Sequence, residues 1–149
     1  MKIDLPTLQG FFASAPFMVD LGVQATGLDG GRVRTRIDLQ PRHLQHSGVV
    51  HAGVMAAMAD HTMGAAAQVQ APEGLLVLTA EFKVNLLRGA RGDRLECEAW
   101  VVKPGRQISF AEAEVHAVTQ DGQRTLVVKA AGTMALTRAP SNDSAPPSP

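Results

Sequence analysis

The chain has 149 residues, and its 14 Lys and Arg are balanced by 14 Asp and Glu, which excludes the basic surplus of a general nucleic-acid binder. Its 45% hydrophobic content fits one globular domain, and no apolar run is long and charge-free enough to span a membrane. The start, MKIDLPTLQG, lacks the apolar stretch of a signal peptide, and the single Cys97 has no internal disulfide partner, so a reducing cytoplasm is the expected location.

In chain order, PTLQGFFASAPF reads as a short amphipathic helix closed by Pro16. VDLGVQATGLDGGRVRTRIDLQ reads as two strands, with Asp29-Gly30 as the hairpin signal. PRHLQHSG, punctuated by Pro, Ser and Gly, is a loop. The run from about His51 to Gln70 is the one long helical segment. Four strand candidates follow: LLVLTAEFKVNLL, DRLECEAWVVK, QISFAEAEVHAVT and TLVVKAAGTMALT. The turn-like segments RGARG, PGR and QDGQ separate them. A single domain is expected over 1–138. The Pro- and Ser-rich tail 139–149 lacks apolar anchors and is expected to be disordered.

This order predicts an α+β fold, an antiparallel sheet curved around one central helix. At about 100° per residue, His51, Val54, Met55, Met58, Thr62 and Val69 gather on a bulky side of that helix, suited to packing into the sheet. Gly53, Ala56, Ala57, Asp60, Gly64 and Ala67 gather on the other. Asp60 is thus a carboxylate in a face of Gly and Ala, where a second backbone or a thin ligand can come close. Two readings fit it: a packing carboxylate held by a neighbouring hydroxyl or Arg, or a reactive group. The nine-residue step from His51 to Asp60 turns the two to opposite faces, about 13.5 Å apart along the axis. If both serve one site, the second member comes from another chain, which predicts a dimer.

The run Gln45-His-Ser-Gly48-Val-Val-His51-Ala52-Gly53, with Asp60 seven residues on, resembles the signature of the hot-dog-fold acyl-CoA thioesterases, and of their phenylacetate-pathway (PaaI-like) branch in particular. The resemblance extends from the first hairpin to about Thr137. It implies a hot-dog fold, hydrolysis of an acyl-CoA to a free acid and CoA, and a homodimer with shared sites, often paired into a tetramer. Asp60 falls on the family's catalytic carboxylate, as nucleophile or general base. Gln45, Gly48, His51 and Gly53 match in place, whereas Ala52 stands where the family usually has Gly. The Ala52 N–H would polarise the thioester carbonyl, and Gln45 would position the carbonyl, the water or the departing sulfur. Thr79, near a position where some members carry Ser or Thr, would orient the water; strand propensity alone also accounts for it. His51 would hold the loop and helix start, or transfer a proton. Arg88, Arg91 and Arg106 are candidates for the CoA phosphates, with ordinary solvated turn residues as the other reading.

The resemblance implies no cofactor, since CoA arrives with the substrate. His43, His61 and His116 form no metal-ligand spacing. There is no G-x-S-x-G elbow, and no Gly-rich phosphate loop opens a helix. Cys97, between Glu96 and Glu98, reads as a core-facing strand residue. Two other functions share the fold: a hot-dog dehydratase and a non-catalytic acyl-CoA-binding protein. The G-x-x-H-x-G context argues against the first, and a carboxylate in the small-residue face argues against the second. FFASAPFM is a candidate lining of an acyl pocket for an aromatic or medium-chain group, or an apolar flap packed for stability.

Overall fold

The computed structural model describes residues 2–140, so the expected tail 139–149 lies largely outside it. Helix α1 (Leu5–Ser14) starts where the Asp4 side chain accepts the Thr7 N–H at 2.9 Å. It ends at Ala15, before Pro16. Pro16 does more than close it: with its φ already fixed, it opens a second helix, α2 (Pro16–Leu21), which Gly22 ends in the left-handed conformation at φ 78°. The segment Val19–Leu21, expected as strand, is therefore helical.

Strands β1 (Gln24–Asp29) and β2 (Arg32–Asp38) form the expected hairpin. Its two central residues are Gly30 and Gly31, with φ of 55° and 78°, the pattern of a two-residue turn that follows strand twist. The loop after β2 is pinned by His43, which is buried. Its Nδ1 accepts the Gln40 N–H at 3.0 Å, and its Nε2 lies 2.7 Å from the Leu21 carbonyl. Helix α3 (Ala52–Gln70) follows, then β3 (Leu75–Leu86), β4 (Arg94–Lys103), β5 (Ile108–Val118) and β6 (Arg124–Arg138).

The six strands make one antiparallel sheet in the order β1-β2-β4-β5-β6-β3. Its inner face closes on α3. Val33, Ile37, Leu95, Val115 and Val128 from the sheet meet Met58 and Met63 of the helix, all fully buried. Removing such large apolar side chains from water drives the packing, at roughly 1.5–3 kcal/mol for each one. The architecture is the expected α+β hot-dog arrangement. Departures are local. His51 precedes the helix and is exposed rather than packed into the sheet, Ala67 is buried rather than on the open face, and Val69 is half-buried.

Polar contacts fix the helix against the sheet. Thr62 Oγ1 donates to the Met58 carbonyl at 2.7 Å, so its contact with Thr35 Oγ1 at 2.9 Å has Thr35 as donor. Both threonines are buried. Cys97 is buried beside them, and burial pushes its thiol up to about 12, only partly offset by the neighbouring Thr62 and Thr35 hydroxyls. The outer face of the sheet carries ion pairs: Glu98 with Arg32 and Arg34, and Glu96 with Arg94 and Arg124. Such half-exposed pairs each contribute little to stability.

A buried, protonated thiol is a poor nucleophile. Cys97 should stay unlabelled by a thiol reagent in the native protein and react fully in denaturant. Rapid labelling under native conditions would contradict this packing.

Candidate active site

The N-terminus of α3 is built by a short, tightly bonded loop. Gly48, at φ 83°, closes a turn in which its N–H donates to the Gln45 carbonyl at 3.0 Å. Leu44 and Val50 then bridge, and the His51 N–H donates to the His43 carbonyl at 2.9 Å. His51 is the N-cap of α3: its Nδ1 accepts the Gly53 N–H at 2.8 Å. This explains Gly53. A Cβ there would stand 3.0 Å from His51 Nδ1, a tight contact to which the imidazole would have to yield by a few tenths of an ångström. Ala52 has no positive φ, so its methyl adds no backbone strain. Its N–H lies in the first turn, where helix amides have no intrahelical acceptor, and it meets none among the described residues.

These groups surround a cavity of about 500 Å³, with Gln45, His51, Ala52, Met55, Leu86 and Arg88 on its walls. The Gln45 amide is tied to Ser47: its Oε1 accepts the Ser47 N–H at 3.1 Å, and its Nε2 lies 2.6 Å from Ser47 Oγ. Arg91 braces the same loop by donating to the Gly48 and Ser47 carbonyls at 3.2 and 3.4 Å. Arg88 donates to the Leu126 carbonyl at 2.6 Å.

Asp60 is not in that cavity. It lines a second one, of about 450 Å³, with Phe11 and Phe12 of α1, Gly64 and Gln68 of α3, and Leu78 and Thr79 of β3. Thr79 Oγ1 donates to Asp60 Oδ1 at 2.7 Å. The sequence named both residues, and the structure brings them together. It does not bring Gln45, His51 or Ala52 to them within one chain; the two cavities share no lining residue.

Strand β3 serves both cavities because it is bulged. Thr79 pairs with Met134 and Glu81 with Thr133, leaving Ala80 without a partner. Without the bulge, Thr79 and Leu86, seven residues apart, would face opposite sides. With it, Thr79 reaches the Asp60 cavity and Leu86 the N-terminal one. Gln68 fixes the start of this strand: its Nε2 donates to the Leu75 carbonyl and its Oε1 accepts the Val77 N–H, both at 2.9 Å.

The three arginines do not form one group in a protomer. Arg88 and Arg91 follow the end of β3, beside the α3 N-terminus, where Val50 N–H donates to the Ala90 carbonyl. Arg106 lies between β4 and β5, and the antiparallel registers put that turn at the opposite end of the sheet. Sequence proximity to strand ends gave no sign of this, since it follows from strand order. Gln68 and His61 were also missed as site residues. Their signal lay in the helix period: His61 and Gln68 are seven residues apart and so share one stripe, about 80–100° round the helix from Asp60. Among the described residues, no group of three or more His, Cys, Asp or Glu could hold a metal ion, and no helix is long and apolar enough to cross a membrane.

The family profile described as the thioesterase superfamily matches residues 47–123. The chain belongs to the thioesterase superfamily. It is 32% identical over 132 residues to a Pseudomonas aeruginosa protein named "Putative esterase PA0474", covering 86% of this chain and 93% of that one. It is 34% identical to a thioesterase family protein from Silicibacter pomeroyi whose crystal structure superposes with a TM-score of 0.84, over 89% of this chain and 96% of that one. The thioesterase HI1161 from Haemophilus influenzae, at 20% identity, shares the fold with a TM-score of 0.82, over 95% and 96% of the two chains. The chemistry is that of a thioester or ester hydrolase.

The His51 cap can be measured by itself. His51→Ala removes the acceptor from the Gly53 N–H and should lower the unfolding free energy by about 1 kcal/mol in chemical denaturation. An unchanged midpoint and slope would show that this bond contributes nothing to α3.

Proposed function

We propose that the protein is an acyl-CoA thioesterase of the PaaI-like branch, acting as a homodimer, or a pair of such dimers, whose sites are shared between protomers. The observation that carries this reading is the Thr79–Asp60 hydrogen bond of 2.7 Å on the wall of a mainly apolar cavity that the N-terminal amide of α3 does not line. Those groups, the Ala52 N–H and the Gln45 amide, line the other cavity. The second protomer supplies what each half lacks.

Two features support a copy of the chain at this place. Strand β3 is an edge of the sheet and carries exposed Leu76, Leu78, Phe82 and Leu86, a combination that a lone protomer seldom leaves uncovered. Beside it, the face of α3 formed by Gly53, Ala56, Ala57, Asp60 and Gly64 is only partly covered by its own chain. A two-fold axis near Asp60 would set each carboxylate against the partner's helix N-terminus and create two equivalent sites.

In such a site the acyl group enters the cavity of Phe11, Phe12 and Leu78, and its carbonyl oxygen accepts the Ala52 N–H, aided by the positive end of the helix dipole. Thr79 holds Asp60 Oδ1, which leaves Oδ2 for chemistry. As a base, Asp60 takes a proton from water while the oxygen adds to the thioester carbon; the tetrahedral oxyanion collapses, the C–S bond breaks, and CoA leaves as the thiolate. As a nucleophile, Asp60 expels the thiolate first and forms a mixed anhydride that water then opens. Both routes need the negative carboxylate. Gln45 orients the carbonyl, the water or the departing sulfur, and His51 and Gly53 keep the donor amide in place. Arg88 lines the N-terminal cavity and Arg91 braces the loop beside it, both suited to CoA phosphates. Arg106 can join them only from the partner, at the far end of its sheet.

Asp60→Asn keeps the size of the side chain and removes its charge. Free-thiol release from a panel of acyl-CoAs should fall at least about a thousandfold while substrate still binds. Turnover near that of the wild type would refute the role given to Asp60. Binding without turnover by the wild type would favour the non-catalytic alternative, and an absorbance change without thiol release would favour the dehydratase.

A further inference from the structure

His61 lines the Asp60 cavity and is a polar residue that the hydrolytic reading does not use. It is partly buried, and its ring stands edge-on to Phe12, with centroids 4.7 Å apart at 86°. No described residue hydrogen-bonds the imidazole, and no buried side-chain nitrogen among the described residues is left without a partner, so its ring nitrogens are open to the cavity. Around it the wall is apolar: Leu8, Phe11 and Phe12 on one side, Leu78 on the other. An alkyl-binding pocket would gain from Leu or Phe at this position, since a polar ring half removed from water and left without a fixed partner is unfavourable.

We propose that His61 is a specificity-determining residue that hydrogen-bonds a hydroxyl or carbonyl carried by the acyl group close to its thioester carbon. The inference rests on the reading of this cavity as the acyl pocket. Helix geometry sets where the polar group must be. His61 lies one residue beyond Asp60, about 1.5 Å along the axis, whereas Gln68 at the other end of the groove is about 12 Å along. Turned about 100° from Asp60, His61 flanks the groove near the reacting carbon, and the group it meets belongs on the second or third carbon of the chain rather than at its tip. Burial draws the imidazole pKa below its ordinary value, against the opposing charge of Asp60. The neutral ring then offers one donor and one acceptor nitrogen, which suits a hydroxyl in either role and gives no advantage to a carboxylate.

The test compares matched thioesters on the intact assembly: hexanoyl-CoA, 3-hydroxyhexanoyl-CoA and 6-hydroxyhexanoyl-CoA. The readout is the ratio of kcat/KM between the hydroxylated and plain members, in which any general loss of activity cancels. The wild type should favour the 3-hydroxy compound by about tenfold, the worth of one well-placed hydrogen bond, and should not favour the 6-hydroxy compound. His61→Phe should abolish the preference, and His61→Gln, which keeps a donor and an acceptor, should retain part of it. A wild-type ratio near unity, an equal preference for the 6-hydroxy compound, or a preference that survives His61→Phe would each overturn the proposal. Failure here is separable from failure of the hydrolytic reading. If Asp60→Asn abolishes turnover of hexanoyl-CoA while the 3-hydroxyl counts for nothing, only the role of His61 falls.

Discussion

An α-helix advances about 1.5 Å and turns about 100° with each residue, and no side chain can escape that ruler. Ala52, whose N–H is the free donor at the start of α3, and Asp60 are eight residues apart on one unbroken helix. They stand about 12 Å apart along the axis, against the roughly 3 Å at which a donor and a base must flank one reacting group. The same rigidity that lets α3 fill the sheet with Met58 and Met63 keeps these two groups in separate cavities, which on the proposed reading divides the chemistry into two halves. The rest of the molecule is consistent with that division: two cavities without a common residue, and an edge strand β3 that lines both.

Strand β3 shows how the sheet serves the halves. Its outer edge makes no strand pairing among the described residues, and large apolar side chains stand exposed along it. The bulge at Ala80 swaps which alternate residues face α3, so a single strand provides the hydroxyl beside Asp60 and an apolar wall near the helix N-terminus. Gln68 ties the strand's first residues to α3 by two hydrogen bonds, and Thr79 is only two residues beyond the second of them. The hydroxyl that orients the carboxylate is thereby held by the helix that carries the carboxylate.

Much of this was legible in the sequence, for stated reasons. The long apolar run without Pro marked α3, and alternation between Glu96, Cys97 and Glu98 marked a half-buried strand with the thiol inward. The nine-residue spacing of His51 and Asp60 set them on opposite faces, and they line different cavities. What escaped depends on tertiary structure. Of Val19–Leu21 only Val19 favours a strand, and Pro16 at a helix start decided the local conformation. The place of Arg106 follows from strand order, to which turn composition is blind. His61 reads as an ordinary helix residue until Phe12 of α1 folds over it and makes a cavity wall of its ring.

The account stands most directly on whether one site draws on two chains. An Asp60→Asn chain and a Gln45→Ala chain, each weakly active, are mixed and allowed to exchange subunits. In a mixed dimer one site collects both lesions and the other collects none. With random exchange, roughly a quarter of the wild-type thioesterase activity should return, because half the dimers are mixed and each holds one intact site. Mixed dimers isolated by paired affinity tags that remain as inactive as their parents would contradict the account and place the whole site within a single chain.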